Sequence, residues 1–502
     1  MSASDSLTAP PKSSRKAFIW LFAFVLGIGI LTQPAIIYNV GDPYAVREEA
    51  RNILLNGRLS VDDEVAQNFP SRGAFFVQNK ENGRWYSRYG SFNGLLNTLP
   101  LAAEKLLTGD LPPLESPMRV FYLGVFFALL SAAIAAVLYA ITGFYTNNAS
   151  ARCAFVLLAF YTTYLWNYLR STTQESTQLL LLTLCYLCYL RFKAAPQHKG
   201  RLTLAWVFLL LLCQTKVSFV TIVPLFMFLL WRMARRAGFM NKAFVLRWMV
   251  LPAALICLAQ GAIHWIKFGS PLLSGYHQFH DPTFPHTFLS ATMDFLWGGQ
   301  GSVFLHFPLL VVAAFGARRF MRLYPDESIF LGGCLIATYA LVAPESGPWR
   351  GELAYGPRFF VPFLPLLALP AVSVLERLFA SKRKLVLTGL TAISLFCALM
   401  QMEINRMDYF FKYTVGIQAD MVDHVMIVNE KAPPVMRKYF EDTTFAKVNW
   451  DHLRACDGHW DRLPYYAEML QHTTPENLMI WKQFVTANAR ISNLYWFPNA
   501  NQ

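Results

Sequence analysis

The chain has 502 residues, of which 55% are hydrophobic and 15% are charged, and its mean hydropathy is +0.32. This composition excludes a soluble globular protein of this length, because the apolar residues come in blocks of about twenty, which is the length that crosses a bilayer core. The net charge of +13 does not indicate a nucleic-acid partner, since the short cytoplasmic loops of membrane proteins collect Lys and Arg. The sequence therefore predicts an all-α polytopic membrane protein.

The apolar blocks predict eleven transmembrane helices. The first block follows a basic tail, residues 1–16, and exceeds a signal-peptide core, so it is typical of an uncleaved signal anchor. With the N-terminus in the cytoplasm, nearly all short basic loops fall on the cytoplasmic side, and merging the short fifth and sixth blocks would reverse this bias in the second half. The predicted spans are 17–37, 120–142, 153–169, 175–192, 203–214, 217–231, 248–266, 302–317, 328–344, 359–375 and 385–402.

This topology divides the chain into a cytoplasmic tail, a transmembrane domain over residues 17–402 and a C-terminal region over residues 403–502. The C-terminal region lies outside and contains aromatic residues throughout, so it is predicted to be a small periplasmic domain rather than a disordered tail. The transmembrane domain has three outside loops, at residues 38–119, 267–301 and 345–358.

The first outside loop contains two predicted amphipathic helices, both expected to lie along the membrane surface. The first ends at Gly57 and the second at Gly109, since glycine is the common helix stop. Their apolar residues at helical spacing are Val46, Ala50, Ile53 and Leu54 in the first, and Leu95, Leu99, Ala102 and Leu106 in the second.

Charged residues cluster directly after the first span. Asp42 comes first, and Glu48 and Glu49 follow within the same predicted helix. An aspartate at the start of a helix is commonly a cap. A functional role becomes the stronger interpretation because other outside edges also carry polar groups where plain loops would suffice.

Three further stretches supply such groups. Residues 81–100 interleave Arg84, Tyr86, Arg88 and Tyr89, and guanidinium groups beside glycines suit a phosphate, although an aromatic-basic interfacial anchor has the same composition. Glu175 begins the fourth span, where Ser171 or Thr172 could instead form a capping box with it. Arg358 follows a Gly-Pro turn on the outside, where a snorkelling arginine is usual but runs against the charge bias.

Two other groups of residues contain the side chains that metal sites and redox sites use. His277, His280, Asp281 and His286 are clustered in the second outside loop, but their spacing fits no familiar metal motif. Cys185 and Cys188 form a CxxC inside an apolar span without a nearby His or acid, which is typical of packing residues. The sequence therefore predicts no metal site and no required cofactor, while leaving a divalent metal open.

Five blocks follow one another along the chain. They are Asp42 leading into "NILLNGRLSV", then "GRWYSRYGSFNGLLNTLP", "RSTTQESTQLLLLTL", "FGSPLLSGY" and "WRGELAYGPRFFVPFLPLLALP". In this order they resemble the GT-C superfamily of membrane glycosyltransferases, most closely the bacterial relatives of protein O-mannosyltransferases and lipid A aminoarabinose transferases. The resemblance covers about residues 17–400.

The resemblance implies an inverting transfer of a sugar from a polyisoprenyl phosphate to a hydroxyl of an envelope glycan, lipid or protein, in the bacterial inner membrane with the active site facing the periplasm. Asp42 would be the catalytic base, and Arg88, Arg358 and Arg84 would bind the donor phosphate. Glu175, Glu48, Glu49, Tyr86 and Tyr89 would contact the sugar or acceptor. One departure is that the family commonly has Asp-Glu where this chain has Asp42-Pro43, so the role of the second acid, if it is needed, would fall to Glu48, Glu49 or Glu175.

The sequence is also compatible with three other functions. A transporter or flippase of lipid-linked sugars would need cationic sites, but it usually has inverted repeats and ionisable groups at mid-membrane, for which Lys216 is the main candidate. An O-antigen-type polymerase or ligase usually has its large loop later in the chain. A non-catalytic binding subunit would use the C-terminal region, which leaves the cluster around Asp42 without a role.

Overall fold

The computed structural model describes residues 15–33, 41–68, 75–111, 117–170, 173–275, 288–298, 302–343, 356–381 and 384–406. The predicted cytoplasmic tail up to residue 14, the His-rich part of the second outside loop and nearly all of the predicted C-terminal domain lie outside these residues.

Helices account for most of the described chain. The first seven are α1 (Arg15–Leu31), α2 (Gly41–Asn56), α3 (Asp63–Asn68), α4 (Ser91–Thr108), α5 (Pro117–Thr142), α6 (Ala149–Tyr161) and α7 (Leu165–Arg170). Next come α8 (Glu175–Ala194), α9 (Lys199–Cys213), a 3₁₀ turn (Val217–Thr221), α10 (Ile222–Arg236) and α11 (Lys242–Phe268), which contains a π-helical turn at Leu246–Val250. The remainder are α12 (Phe288–Trp297), α13 (Val303–His306), α14 (Leu309–Leu323), α15 (Pro325–Val342), a 3₁₀ turn (Arg358–Phe360), α16 (Leu364–Leu367), α17 (Pro370–Ser381) and α18 (Lys384–Arg406).

Each of the eleven predicted spans overlaps one of these helices or a run of two or three consecutive helical elements. Four helices in the described residues are long and apolar enough to cross a membrane, namely Tyr122–Thr142, Val217–Arg236, Lys242–Phe268 and Leu385–Met402. The chain is therefore a multi-pass membrane protein. The number of spans and their orientation stay predictions.

The helical core forms around α5, which packs against α1 on one side and α8 on the other. Gly29 permits the close approach of α1, because a Cβ there would lie 2.9 Å from the Cβ of Ala128. Aromatic rings fill the centre of the bundle, where Tyr186 stacks on Phe330 with centroids 6.2 Å apart. Dense packing of this kind holds the helix ends, and the loops attached to them, in fixed positions.

The first outside loop forms both predicted helices, and they end where expected. Gly57 and Gly109 follow α2 and α4 with φ of 62° and 80°, a conformation that costs glycine little. The sequence analysis did not predict the three short antiparallel strands between them. These are β1 (Ser60–Val61), β2 (Phe76–Gln78) and β3 (Trp85–Ser87), in the order β1-β3-β2.

The two helices of this loop have different surroundings. In α4, the apolar residues Leu95, Leu99 and Leu106 are 53%, 57% and 86% exposed, while polar Asn93 and Asn97 are buried. An apolar face that points away from the protein is what a helix lying on a bilayer requires. In α2, by contrast, the stretch 45–50 is buried inside the protein. This helix therefore packs against other elements and does not lie along an exposed surface.

A second charged cluster lies where the ends of α8, α10 and α15 meet. The buried carboxylate of Asp326 accepts hydrogen bonds from Arg232 and from Arg236, the latter at 2.6 Å. Its neighbour Glu327 pairs with Lys193. These ion pairs join three helices that are distant in sequence.

Replacing Asp326 by Asn is expected to destabilise the protein by about 2 kcal/mol, because hydrogen bonds to charged groups contribute on that scale and two are weakened. Thermal unfolding in detergent measures the effect, with Asp62→Asn as the control, since Asp62 pairs with Arg58 on an exposed surface where ion pairs contribute little. Equal melting temperatures for the two variants would contradict a stabilising role for the Asp326 cluster.

Candidate active site

Asp42 lies in the first turn of α2, where the positive end of the helix dipole favours a carboxylate. Both of its oxygens are engaged. Oδ1 accepts a hydrogen bond from the Tyr89 hydroxyl, and Oδ2 accepts one from Nη2 of Arg358 at 2.6 Å. Asp42 therefore meets two residues that the sequence analysis assigned to other stretches.

Arg358 also binds a second carboxylate. Its Nε donates to Oε1 of Glu175 at 2.6 Å, so one guanidinium bridges the start of α2 and the start of α8. The side chain of Glu175 is almost fully buried. Gln174 occupies the N-cap position of α8 and makes no side-chain capping bond, while Ser171 and Thr172 lie outside the described residues. Glu175 thus pairs with Arg358 across the bundle.

The Gly-Pro turn before Arg358 fixes the direction of its side chain. Gly356 has a φ of 71°, and a Cβ there would lie 2.9 Å from ring atoms of both His306 and Tyr164. The Tyr164 hydroxyl donates to the Pro357 carbonyl at 3.0 Å, and the Tyr164 amide donates to the His306 carbonyl at 2.9 Å. Only glycine fits this turn without displacing the rings that support it.

Gly356→Ala is expected to destabilise the protein by about 2 kcal/mol and to displace Arg358, because the left-handed backbone conformation and the steric conflict both act against alanine. Gly57→Ala is the matched control, since Gly57 also has a positive φ but nothing lies within 4 Å of its added Cβ. Thermal unfolding of both variants measures the difference. The account of the turn is wrong if Gly356→Ala melts no lower than Gly57→Ala.

Arg88 brings a second positive charge to the surroundings of Asp42 and lies beside Tyr89. The Arg88 guanidinium lies 5.6 Å from the centroid of the Tyr89 ring. Gly275, in the second outside loop, packs on the backbone of Arg88, where a Cβ would lie 2.5 Å from the Arg88 carbonyl oxygen. The close contact places the "FGSPLLSGY" stretch against the "GRWYSRYG" stretch, although almost two hundred residues separate them.

The surroundings of Asp42 set its pKa. Burial would raise the pKa of this carboxyl, but the charge of Arg358, the Tyr89 hydroxyl and the charge of Arg88 together hold the pKa below its usual value of 3.8. Asp42 is therefore ionised near neutral pH.

A small cleft opens beside Asp42 between α2, α4, α5 and α8. Its walls are polar but uncharged apart from Asp42, with an apolar patch on one side. The Asn93 amide is oriented by its Nδ2, which donates to Oε1 of Gln174 at 2.8 Å and to the Thr215 carbonyl at 3.0 Å. The lining residues are Asp42, Pro43, Val46, Asn93, Asn97, Phe127, Thr173, Gln174 and Thr177.

Several predicted site residues are placed elsewhere. Glu49 is fully buried in an ion pair with Lys267 at 3.1 Å, and Glu48 lies 3.8 Å from Arg51. Neither acid has a described hydrogen bond to Arg358. Of the three glutamates, Glu175 is the one that shares Arg358 with Asp42, and it comes from a different helix.

Tyr86 and Arg84 belong to the small sheet. Tyr86 is buried in β3, where its hydroxyl accepts a hydrogen bond from Asn82 at 3.1 Å, so its ring serves the sheet. Arg84 is exposed beside the turn that joins β2 and β3, and its backbone carbonyl accepts from the Asn79 amide at 2.9 Å. Neither side chain has a described hydrogen bond to Asp42, whose described partners are Tyr89 and Arg358.

Two lysines near the site were not identified as site residues from sequence. Lys216 Nζ lies 3.8 Å from the centroid of the ring of Phe359, which follows Arg358 in the chain. Lys267, in the last turn of α11, reaches the loop that carries Tyr89. The signal for Lys216 was its position in the short link between two apolar blocks, and that for Lys267 was its position just before "FGSPLLSGY".

No group of three or more His, Cys, Asp or Glu side chains that could hold a metal ion occurs in the described part of the chain. The histidine cluster His277, His280, Asp281 and His286 lies outside it. The described cysteines are unpaired by disulfides, and Cys185 and Cys188 are buried packing residues within α8.

No protein-family model and no curated protein sequence matches the chain. Solved structures do. The apo oligosaccharyltransferase of Archaeoglobus fulgidus aligns with a TM-score of 0.50 at 12% identity, over 85% of this chain and 60% of that one. ArnT from Cupriavidus metallidurans aligns with a TM-score of 0.47 at 12% identity in the apo state, over 95% of this chain and 73% of that one. ArnT bound to undecaprenyl phosphate gives 0.41 at 13% identity, over 94% and 75%.

At this identity the oligosaccharyltransferase likeness concerns the fold alone, and the chain spans 60% of the length of that enzyme. The fold agrees with the resemblance carried by the five sequence blocks, two of which, around Tyr89 and Arg358, meet at Asp42. The chain therefore resembles the GT-C superfamily of membrane glycosyltransferases in its fold as well as in its sequence blocks.

Proposed function

We propose that the chain is an inverting glycosyltransferase that moves a sugar from a polyisoprenyl phosphate to a hydroxyl of an envelope glycan, lipid or protein at the periplasmic face of the bacterial inner membrane. The observation that carries this proposal is the contact of Asp42 with Tyr89 and Arg358, and of Arg358 with Glu175. Three groups from distant segments are thus gathered around one ionised carboxylate, which lines a polar cleft.

The chemistry needs a base for the acceptor hydroxyl on one face of the anomeric carbon and cations that can reach the phosphate, which leaves from the opposite face. The acceptor oxygen forms a bond to the anomeric carbon, and the bond from that carbon to the phosphate oxygen breaks. The acceptor proton passes to Asp42, and the electron pair of the broken bond leaves with the lipid phosphate. Positioned general bases contribute about 10²–10⁴-fold to such a step.

Asp42 has to exchange a partner before it can accept a proton, because both of its oxygens accept hydrogen bonds in the structure. The phosphate of an arriving donor is an anion that competes for the Arg358 guanidinium. When Arg358 turns toward the phosphate, Oδ2 of Asp42 becomes available to the acceptor hydroxyl. Donor binding and base activation are then coupled through one side chain, and Glu175 keeps Arg358 anchored.

The leaving phosphate gains negative charge, which nearby cations stabilise in the transition state. Arg358 and Arg88 are the first candidates, since Arg358 binds Asp42 directly and the charge of Arg88 acts on it. Lys216, against the Phe359 ring, adds a third. Arg84 is the weakest of the predicted phosphate ligands, because it is exposed on the hairpin.

The cleft beside Asp42 is proposed to take hydroxyl groups of the sugar or the acceptor. Its amides and hydroxyls, including Asn93, Gln174 and Thr177, both donate and accept hydrogen bonds. The lipid chain of the donor would lie in a groove between the helices, in contact with the bilayer. No cofactor enters this mechanism, and a divalent metal is left open.

A transporter of lipid-linked sugars remains the main alternative. Its best support in the sequence was Lys216, as an ionisable group at mid-membrane, but the Lys216 Nζ lies 3.8 Å from the ring centroid of Phe359, the residue that follows Arg358 in the chain. An O-antigen-type polymerase or ligase would use a lipid-linked oligosaccharide as its donor, and donor size separates it from the proposed activity.

The test is a transfer assay with the full chain in nanodiscs, supplied with a panel of undecaprenyl-phosphate-linked monosaccharides and envelope extracts as acceptors. We expect one donor to be consumed, with release of undecaprenyl phosphate equal to the amount of glycosylated product. Movement of the intact lipid-linked sugar across the bilayer without release of undecaprenyl phosphate would support the transporter. Consumption of lipid-linked oligosaccharides alone would support the polymerase or ligase.

A further inference from the structure

The buried ion pair between Glu49 and Lys267 has no role in the mechanism above. Both side chains are almost completely removed from solvent, with 0% and 1% exposed. A buried ion pair gains little net stability from the attraction of its charges, because both charges lose their hydration. A role for this pair beyond stability therefore has to come from its contacts with other residues.

The Lys267 ammonium has three described acceptors, which lie on two elements. It donates to Oε1 of Glu49 at 3.1 Å, to the backbone carbonyl of Tyr89 at 2.7 Å and to the Ser91 hydroxyl at 3.4 Å. Glu49 belongs to α2, whereas Tyr89 and Ser91 belong to the stretch that leads into α4, with Ser91 as the first residue of that helix. One ammonium thus ties α2 to the chain that carries Tyr89.

Both tied elements lead directly to Asp42. Glu49 lies seven residues after Asp42 in α2, which is close to two full turns, so both side chains project from the same face. The Tyr89 hydroxyl donates a hydrogen bond to Oδ1 of Asp42, and the Lys267 ammonium donates one to the backbone carbonyl of Tyr89. The same side chain therefore fixes the helix that carries the carboxylate and the residue that orients it.

Lys267 is itself held in place by the end of α11. Gly269 ends the helix with a φ of 76° and packs beside the Asn79 side chain. Asn79 in turn donates through Nδ2 to the Ile266 carbonyl at 3.1 Å. A cation in the last turn also interacts favourably with the helix dipole. The end of α11 is thus bonded to Asn79, the residue that follows β2. This bond fixes the position of the Lys267 ammonium independently of α2.

We propose that Lys267 and Glu49 are positioning residues for Asp42, which act through the Tyr89 carbonyl and through α2. The proposal rests on the proposed transfer reaction and adds that the placement of the base depends on the ammonium bond to Tyr89. An error of about 1 Å in the placement of a catalytic group costs about 100-fold in rate.

The test compares Lys267→Met, the neutral pair Glu49→Gln with Lys267→Met, and the exchanged pair Glu49→Lys with Lys267→Glu, in the nanodisc assay with the donor that the wild-type protein consumes. The neutral pair leaves no uncompensated buried charge, which protects the fold. The exchanged pair keeps an ion pair but sets a carboxylate against the Tyr89 carbonyl. Lys193→Met is the matched control, because Lys193 pairs with buried Glu327 in a cluster with no described contact to Asp42.

We expect the neutral pair to lose about 100-fold in kcat with the KM for the donor within about twofold and undecaprenyl phosphate still bound, while Lys193→Met stays within about threefold of wild type in kcat. The exchanged pair should melt above Lys267→Met without recovering kcat. Recovery of kcat together with melting temperature would overturn the positioning role, as would a neutral pair with wild-type kcat. Movement of the intact lipid-linked sugar by the wild-type protein, without release of undecaprenyl phosphate, would instead refute the proposed function, which keeps the two failures distinct.

Discussion

Asp42→Asn is expected to lower the rate of sugar transfer by about 10³-fold, because asparagine keeps the shape of the side chain but cannot accept the acceptor proton. Donor binding should persist, since Arg88 and Lys216 are unchanged and Arg358 is still held by Glu175. The measurement is kcat in the nanodisc assay together with the affinity for undecaprenyl phosphate. The expected signature is a large loss in kcat with little change in affinity.

Asp62→Asn is the control for this variant. Asp62 is another aspartate of the first outside loop, and it pairs with Arg58 on an exposed surface, so its substitution should change neither quantity. A parallel loss of undecaprenyl phosphate binding in Asp42→Asn would point to a collapsed site. A wild-type kcat would remove Asp42 from the mechanism and leave Glu175 as the remaining acid of the site.

Arg358→Met is expected to impair both stability and catalysis. It removes the shared partner of Asp42 and Glu175 and leaves two carboxylates without a cation between them, and breaking a buried pair in this way costs about 3 kcal/mol or more. Burial would then raise the pKa of Asp42 without its main opposing charge. The base must be ionised to work. When the pH is lowered, the residual activity of Arg358→Met should therefore be lost at a higher pH than the activity of the wild-type protein.

Arg358→Lys separates charge from geometry. Lysine keeps the positive charge but cannot bond two carboxylates with a planar fork, so it should restore part of the melting temperature and of the pH profile, with transfer still reduced. The measurements are thermal unfolding and the dependence of kcat/KM on pH for both variants. If lysine restored full transfer, the bridge to Glu175 would have no catalytic importance.

Much of the fold could be predicted because its determinants are local. Hydrophobic blocks of bilayer length gave the helical segments, and glycines gave the ends of α2 and α4 at Gly57 and Gly109. The apolar stripe of α4 was also readable from its spacing. Its outward direction, with Asn93 and Asn97 buried, is unusual for a globular protein but follows from a membrane surface as the neighbouring solvent.

The site could be predicted only as a set of candidates. Sequence indicated Asp42, Tyr89, Glu175 and Arg358 separately, but the contact of Asp42 with Arg358 joins residues more than three hundred positions apart. Nothing local distinguishes the three glutamates proposed as the second acid. Packing decides among them, because Lys267 binds Glu49 while Arg358 binds Glu175.

The sheet was missed for a related reason. Its strands are two or three residues long, which is too short for an alternating pattern to stand out. Arg84 and Tyr86 were therefore assigned to the site together with Arg88 and Tyr89. The pairing of β3 with β1 and β2 turns Tyr86 into the sheet and leaves Tyr89, beyond the end of the strand, free to reach Asp42.

The central claim is that this chain transfers a sugar with Asp42 as the base. The most direct test is the sugar composition and linkage of the host's envelope glycans, measured by mass spectrometry in three strains. These are a deletion of the chain, the deletion carrying the wild-type protein, and the deletion carrying Asp42→Asn at equal expression. We expect one sugar to vanish in the deletion, to return with the wild-type protein and to stay absent with Asp42→Asn. Full restoration by Asp42→Asn would contradict the account.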